Sequence, residues 1–272
     1  MISIITLFSW IDNDLDMLKS NVNSVFDYTT EDFEFIILDN DCLPEVKIWF
    51  DSLKDSRIRI ESLPKRVGVG GAYNWGIKKV LNNLLYIFDS DIHPCRKDWS
   101  QLARSIIKEE SDYNNYYFNM PCGWHLHKQI HVKKICDFYN GVKDNVLSQI
   151  KEDSTFYEPI KNRLESKDDF FDNNSTYQID SEMLLIFKIL NVKRYTSFKD
   201  PLVNFHDEKS KRPKENLEIY YKKAPQWKKD QLYWGTKWSY IRDYGKFSED
   251  IQYLINNNCY KDWVNILLKQ GF

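Results

Sequence analysis

The sequence predicts an α/β fold, a mostly parallel twisted sheet flanked by helices, and three observations carry that expectation. Apolar, β-branched runs of strand length alternate with stretches of helical spacing through about the first hundred residues. Two acidic clusters, Asp39-Asn40-Asp41 and Asp89-Ser90-Asp91, each stand at the carboxyl end of such a run. In open parallel sheets that edge is where ligands bind. The chain of 272 residues is also long enough to bury a substantial core without staples.

The elements follow in order. Ile2 to Phe8 reads as a buried first strand, and Asn13 to Phe26 carries apolar residues at Leu15, Leu18, Val22 and Phe26, close to helical spacing. Phe33 to Leu38 is a second strand ending at Asp39. Val46 to Leu53 fits a short helix and Ile58 to Ile60 a third strand. Gly68-Val69-Gly70-Gly71 opens the next helix, through Ala72, Trp75, Ile77 and Val80. This is not a dinucleotide fingerprint: position 73 is Tyr where a third glycine is needed, and the first strand leads into Ser9-Trp10-Ile11-Asp12 rather than a glycine loop. Leu84 to Phe88 then runs into Asp89 and Asp91. Residues i and i+2 of a strand share a face, and two adjacent carboxylates repel unless a cation sits between them. Hard divalent metals take such oxygen ligands. An acidic turn is the bland alternative.

Composition narrows the classes. Hydrophobic residues make up 42% and charged residues 29%, the balance of an ordinary soluble protein, and a net charge of −2 creates no field toward nucleic acid. No apolar run approaches the ~20 residues that span a bilayer. The opening residues lack a basic leader and a cleavage site, so they read as strand rather than signal peptide. Five scattered cysteines without a Cys-Xaa-Xaa-Cys pair indicate a reducing compartment, hence a cytoplasmic location, the host's if the chain is phage-encoded.

The second half is less regular. Tyr116 to Met120 reads as a strand and Pro121 to Trp124 as a turn, followed by His125, His127 and His131. A His-Xaa-His pair can bind zinc, but without a matched Cys or a second pair it reads as a polar strand face. Residues 141–175 read as a helix and a long surface loop whose acids, Glu152, Asp153, Asp168 and Asp169, are solvated. Met183 to Leu190 has the spacing of a buried helix, with Asp180, Ser181 and Glu182 at its start. These are good capping residues, and equally a carboxylate there can act as a general base. Two short stretches, Tyr195 to Phe198 and Leu202 to His206, form a strand and loop. Beyond them, lysines and arginines mix with Tyr220, Tyr221, Trp227, Tyr233, Trp234 and Trp238, as a surface for diphosphate, a polyanion or DNA, or as a helical appendage packing on the core. Ser248 to Leu268 reads as terminal helices.

The order of strand one, Ile36-Ile37-Leu38-Asp39-Asn40, Arg66-Val67-Gly68-Val69-Gly70-Gly71-Ala72-Tyr73-Asn74-Trp75-Gly76 and Phe88-Asp89-Ser90-Asp91 resembles the nucleotide-sugar half of family 2 glycosyltransferases with the GT-A fold. The resemblance implies a GT-A (Rossmann-like) domain over residues 1–206, with the donor half at 1–100 and the acceptor side at 101–206, and a basic, aromatic, helical C-terminal region at 207–272. It assigns Asp39 to the nucleotide base and Asp89 to the ribose or sugar. Asp89 and Asp91, with His206, are assigned to Mn²⁺ or Mg²⁺. Arg66, Gly70 and Asn74 belong to the donor loop. Two positions depart from the pattern: Arg66 stands where the family often has Asn, and Tyr73 where it often has Arg. Aligned on the apolar residues that follow, Glu182 falls on the catalytic base, with Asp180 the runner-up.

The implied function is a metal-dependent, inverting glycosyltransferase using a nucleotide-diphosphate sugar, UDP-linked, with a glycan acceptor. A hydroxymethylated base in phage DNA is an alternative acceptor. A noncatalytic nucleotide-sugar or glycan-binding protein is the competing class. The chemistry suits the residues, since a divalent cation bridging the phosphates stabilises the charge that develops on a sugar-diphosphate leaving group.

Overall fold

The computed structural model describes residues 1–9, 15–104, 107–120, 123–174, 179–195, 203–205, 229–230 and 232–241. The chain packs as two compact units, one of residues 1–67, 72–131 and 193–215, the other of residues 68–71, 132–192 and 216–272. The boundary expected at residue 206 falls inside the last segment of the first unit.

In the first unit, β1 (Ile2–Ser9), α1 (Leu15–Tyr28), β2 (Phe33–Asn40), α2 (Pro44–Ser52), β3 (Ile58–Ser62), α3 (Val69–Lys79) and β4 (Leu84–Asp89) alternate as the sequence predicts. They are followed by β5 (Ile92–Pro94), α4 (Trp99–Arg104), a 3-10 turn (Glu110–Asn114), β6 (Tyr116–Met120) and β7 (Gly123–His127). Beyond α5 (Lys128–Gln149), α6 (Tyr157–Glu165) and α7 (Ile179–Ile189) come β8 (Lys193–Tyr195) and β9 (Val203–Phe205). Seven strands form one sheet in the order β3-β2-β1-β4-β7-β6-β8, and β5 pairs with β9 separately. The β3-β2-β1-β4 half is parallel throughout, whereas β7 runs antiparallel to both β4 and β6.

β1 and β2 are buried along nearly their whole length because helices cover both faces. On one face Ile4, Phe8, Phe35, Ile37, Tyr86 and Phe88 pack with Leu18, Val22 and Val25 of α1, Val46 and Phe50 of α2, and Trp99. Each fully buried large apolar side chain there contributes about 2–3 kcal/mol. On the other face α3 comes close at Gly76, where a Cβ would stand 3.0 Å from Leu38 Cδ1 and 3.2 Å from Ile5 Cδ1. A larger residue at 76 would press on the ends of the Leu38 and Ile5 side chains, which would have to give way.

Three expectations need correction, two in this half and one in the second unit. Trp124 belongs to strand β7 rather than a turn, while Pro121 and Cys122 lie outside the described residues. His125, His127 and His131 do not form a polar outer face: all three are buried, and each has a ring nitrogen bonded to a neighbour. Nε2 of His125 meets the Tyr113 hydroxyl at 2.7 Å, His127 pairs with Glu110, and His131 Nδ1 accepts the His127 backbone N–H. The third correction concerns residues 141–175, which form α6 and the end of α5, with Asp169 and Asp172 buried instead of solvated.

The second unit is helical. Ile135, Tyr139, Val142 and Val146 line the buried face of α5, Ile160 and Leu164 that of α6, and Met183, Ile186 and Phe187 that of α7. Helical residues 232–241 bury Tyr233, Trp234, Trp238 and Ile241, so this part of the C-terminal region packs as an appendage with its aromatics inward. Two residues past the end of α7 stands Asn191, whose φ of 54° is left-handed. The N–H groups of Val192 and Asn191 donate back to the carbonyls of Phe187 and Lys188 at 2.8 and 3.1 Å, a closing pattern that satisfies the last helical acceptors.

Candidate active site

The parallel strands place the acidic residues. From β1 the chain adds β2 and then β3 on one side, and β4 returns to the other side of β1, so the strand order reverses between β1 and β4. Such a switch point opens a crevice at the carboxyl ends of the strands. Asp39 pairs in register with Phe8 and Asp89 with the preceding Leu7. The two carboxyl-bearing residues therefore end the strands on either side of β1, one residue out of step and about 10 Å apart at normal strand spacing, and by strand alternation their side chains leave opposite faces of the sheet.

Asp39 is buried and engaged by its surroundings. Oδ1 accepts the Cys42 N–H at 2.9 Å and Oδ2 accepts the Ser62 hydroxyl at 3.0 Å, with Lys47 Nζ 3.8 Å away. The chain turns sharply after it through Asp41, whose φ of 67° is left-handed. Asn40 clamps the approach to the glycine loop, its side-chain oxygen accepting the Val67 N–H at 3.0 Å and its amide donating to the Val67 carbonyl at 2.9 Å. Sequence reasoning quoted Asn40 within the motif but gave it no role; the signal was there, since Asn side chains offer a donor and an acceptor together. Arg66 is exposed, Gly70 is buried in the first turn of α3, and Asn74 is buried on the same helix.

Asp89 is the last residue of β4 and Asp91 immediately precedes β5; both are partly exposed. Tyr73 of α3, only 2% exposed, donates its hydroxyl to Asp89 Oδ1 at 2.6 Å and lies 3.3 Å from the Phe88 carbonyl. No group of three or more His, Cys, Asp or Glu side chains able to hold a metal occurs among the described residues. Two carboxylates suffice for Mg²⁺ or Mn²⁺ when phosphate oxygens complete the coordination, so the residues fit a cation that arrives with a diphosphate. His206 lies outside the described residues. The residue before it, Phe205, pairs with Ile92, which directly follows Asp91.

In the second unit, Glu182 is fully buried in α7. Its Oε1 accepts from Lys237 Nζ at 2.5 Å and from the Tyr139 hydroxyl. Lys237, also fully buried, bonds Asp172 as well, and the Tyr233 hydroxyl donates to the same Asp172 oxygen at 2.8 Å. Arg163 lies 4.2 Å over the Tyr139 ring and holds the Asp169 and Phe170 carbonyls, each at 2.9 Å. Burial pushes the Asp172 carboxyl upward, but Lys237 and Arg163 outweigh it and hold the group below its ordinary value of 3.8. Burial first, then the neighbouring Glu182, raises the Tyr139 phenol well above 10.0. Of this network only Glu182, and Tyr233 as one of the C-terminal aromatics, were named from the sequence. A lysine set among Tyr233, Trp234, Trp238 and Ile241 was the available signal for a buried cation. Asp180 stands one half-turn before Glu182 in α7, and its side chain lies outside the described residues.

Comparison with known proteins adds a family. The sequence model of glycosyl transferase family 2 matches residues 11–154, just over half of the chain. No curated protein sequence matches. Among solved structures, the mannosyltransferase PcManGT from Pyrobaculum calidifontis, in complex with GDP-Man and Mn²⁺, aligns with a TM-score of 0.55 at 13% identity, covering 95% of this chain and 69% of that one. TarS from S. aureus aligns at a TM-score of 0.44 and 11% identity over 92% of this chain and 44% of its own. GalNAc-T7 with UDP, GalNAc and Mn²⁺ aligns at 0.38 and 17% identity over 44% of this chain and 22% of that one. The first of these shows a shared fold, the mostly parallel sheet flanked by helices.

Proposed function

Because the chain belongs to glycosyl transferase family 2 and is a glycosyltransferase, we propose that it moves a sugar from a nucleotide-diphosphate donor, UDP-linked, to a glycan hydroxyl with inversion at the anomeric carbon. The observation that carries the donor reading is the placement of Asp39 and Asp89 at the carboxyl ends of the two strands flanking β1, at the switch point of the sheet. Asp39 would face the base, and Asp89 the ribose or sugar, with Arg66, Gly70 and Asn74 as donor-loop contacts. PcManGT, which shares the fold, is described with a nucleotide sugar and Mn²⁺, in keeping with this assignment.

Asp89 and Asp91, with His206, would hold a divalent cation that stabilises the charge of the departing diphosphate. The pairing of Phe205 beside Asp91 supports including His206. For the base, the surroundings of Glu182 favour the runner-up. A general base must reach the acceptor hydroxyl, and Glu182 is fully buried with one oxygen bonded to Lys237 and Tyr139. Asp180 is therefore assigned as the residue that takes the acceptor proton, and Glu182 as part of the framework beneath it. A glycan rather than DNA is favoured as acceptor because Tyr233, Trp234, Lys237 and Trp238 of the basic, aromatic region are buried.

The test is a donor screen with and without Mn²⁺, reading released nucleotide. UDP-sugar turnover that requires the metal and is lost in Asp91→Ala is expected. Turnover that is indifferent to both would refute the metal assignment, and no turnover with any donor would overturn the proposed reaction.

A further inference from the structure

Resting on the donor-site reading above, we infer that Tyr73 is a positioning residue that fixes the Asp89 carboxylate for cation and nucleotide binding. The terminal torsion of an aspartate is broad and roughly two-fold, so a carboxylate at a strand end samples many orientations unless something holds it. Tyr73 is a suitable holder. Its ring is buried on α3, with only 2% of the residue exposed, and it has just two side-chain torsions to immobilise. Its hydroxyl reaches Asp89 Oδ1 at 2.6 Å, within the range of a charge-assisted O–H···O⁻ bond. The phenol has one proton, and the longer 3.3 Å approach to the Phe88 carbonyl leaves that proton to the carboxylate.

The residue type matters as much as the contact. The arginine that the resemblance leads one to expect at this position would bring a full positive charge to the carboxylate and compete with a cation for it. A neutral phenol orients Asp89 without spending its charge. The helix that carries Tyr73 is itself packed close to the sheet at Gly76, where a Cβ would stand only 3.0–3.2 Å from the Leu38 and Ile5 side chains. Position 73 is thereby set relative to β4 by backbone packing, and the hydrogen bond inherits that rigidity.

The experiment is direct Mn²⁺ binding, followed by electron paramagnetic resonance, with Mn²⁺ alone and with Mn²⁺ plus UDP. It compares the intact chain with Tyr73→Phe, Tyr73→Arg and Asp91→Asn. Partners that orient metal-binding carboxylates are worth tenfold or more in affinity, so Tyr73→Phe should weaken Mn²⁺ binding about tenfold, and Tyr73→Arg should weaken it further. Circular dichroism checks that each variant is folded; the phenylalanine keeps the ring and its packing. If Asp91→Asn abolishes binding while Tyr73→Phe binds as the intact chain does, the Tyr73 assignment is wrong and the donor site stands. Binding by Tyr73→Arg at the level of the intact chain overturns the neutral-donor argument. If Asp91→Asn leaves Mn²⁺ binding unchanged, the donor-site reading fails, and the role of Tyr73 fails with it.

Discussion

Replacing Lys237 with methionine removes the cation from a fully buried pair of carboxylates while keeping a side chain of similar length. Lys237 Nζ bonds both Asp172 and Glu182, and all three residues are 0% exposed. The methionine variant leaves two buried anions with Arg163 as the nearest described cation, and that guanidinium already donates to the Asp169 and Phe170 carbonyls. Breaking a buried ion pair by removing one partner costs about 3–5 kcal/mol, mostly as the penalty of the stranded charge. With a urea slope of about 2–3 kcal/mol/M for a chain of this size, the unfolding midpoint should fall by about 1–2 M. Tryptophan fluorescence is the natural probe, because Trp234 and Trp238 flank Lys237 on the same buried helical segment. Lys237→Met combined with Asp172→Asn and Glu182→Gln should recover much of the loss, since a neutral set strands no charge. A midpoint for Lys237→Met within 0.3 M of the intact chain, at about 2–3 kcal/mol/M, would mean less than about 1 kcal/mol and would refute the reasoning.

Two further outcomes follow from the same network. Asp180→Asn should abolish transfer in a protein of undiminished stability, whereas Glu182→Gln should lower the unfolding midpoint and leave the surviving folded enzyme active; the reverse pattern in paired activity and denaturation measurements would return the base to Glu182. The folded-state pKa of Asp172 lies below its unfolded value near 3.8, so its contribution to stability is present above that pH and is lost as pH falls through the lower, folded value. Acid titration followed by fluorescence should show loss of structure below about pH 4 that flattens in Asp172→Asn, and an unchanged acid limb in that variant would contradict the ion pair.

Much of the donor half was legible because its signals are local. Strand runs such as Phe33 to Leu38, helical spacing in α1, and acids placed where an apolar run stops are all read within a dozen residues. The sheet order follows from the alternation, since parallel strands joined by helices leave few topologies. The rest depends on pairs far apart in sequence. Tyr73 meets Asp89 across 16 residues, Lys237 meets Glu182 across 55 and Asp172 across 65, and no short pattern announces such partners. The same distance explains the misjudged acids Asp169 and Asp172. Their polarity argued for a loop in water, and only Lys237 and Tyr233 make burial of Asp172 affordable.

The buried lysine also ties the helical unit to the timetable of synthesis. That unit is gathered from residues 68–71, 132–192 and 216–272, so its segments leave the ribosome in widely separated intervals. α7 can be made early, yet until residue 237 emerges the only buried cation near Glu182 and Asp172 among the described residues is Arg163, whose guanidinium is already bonded to the Asp169 and Phe170 carbonyls. Until then, closing the unit would enclose two carboxylates against the cost of desolvating them. Charge thus delays compaction of the nascent chain, and a fragment ending before Lys237 would be recognisable to proteases by its open helices, whatever the state of the sheet already folded.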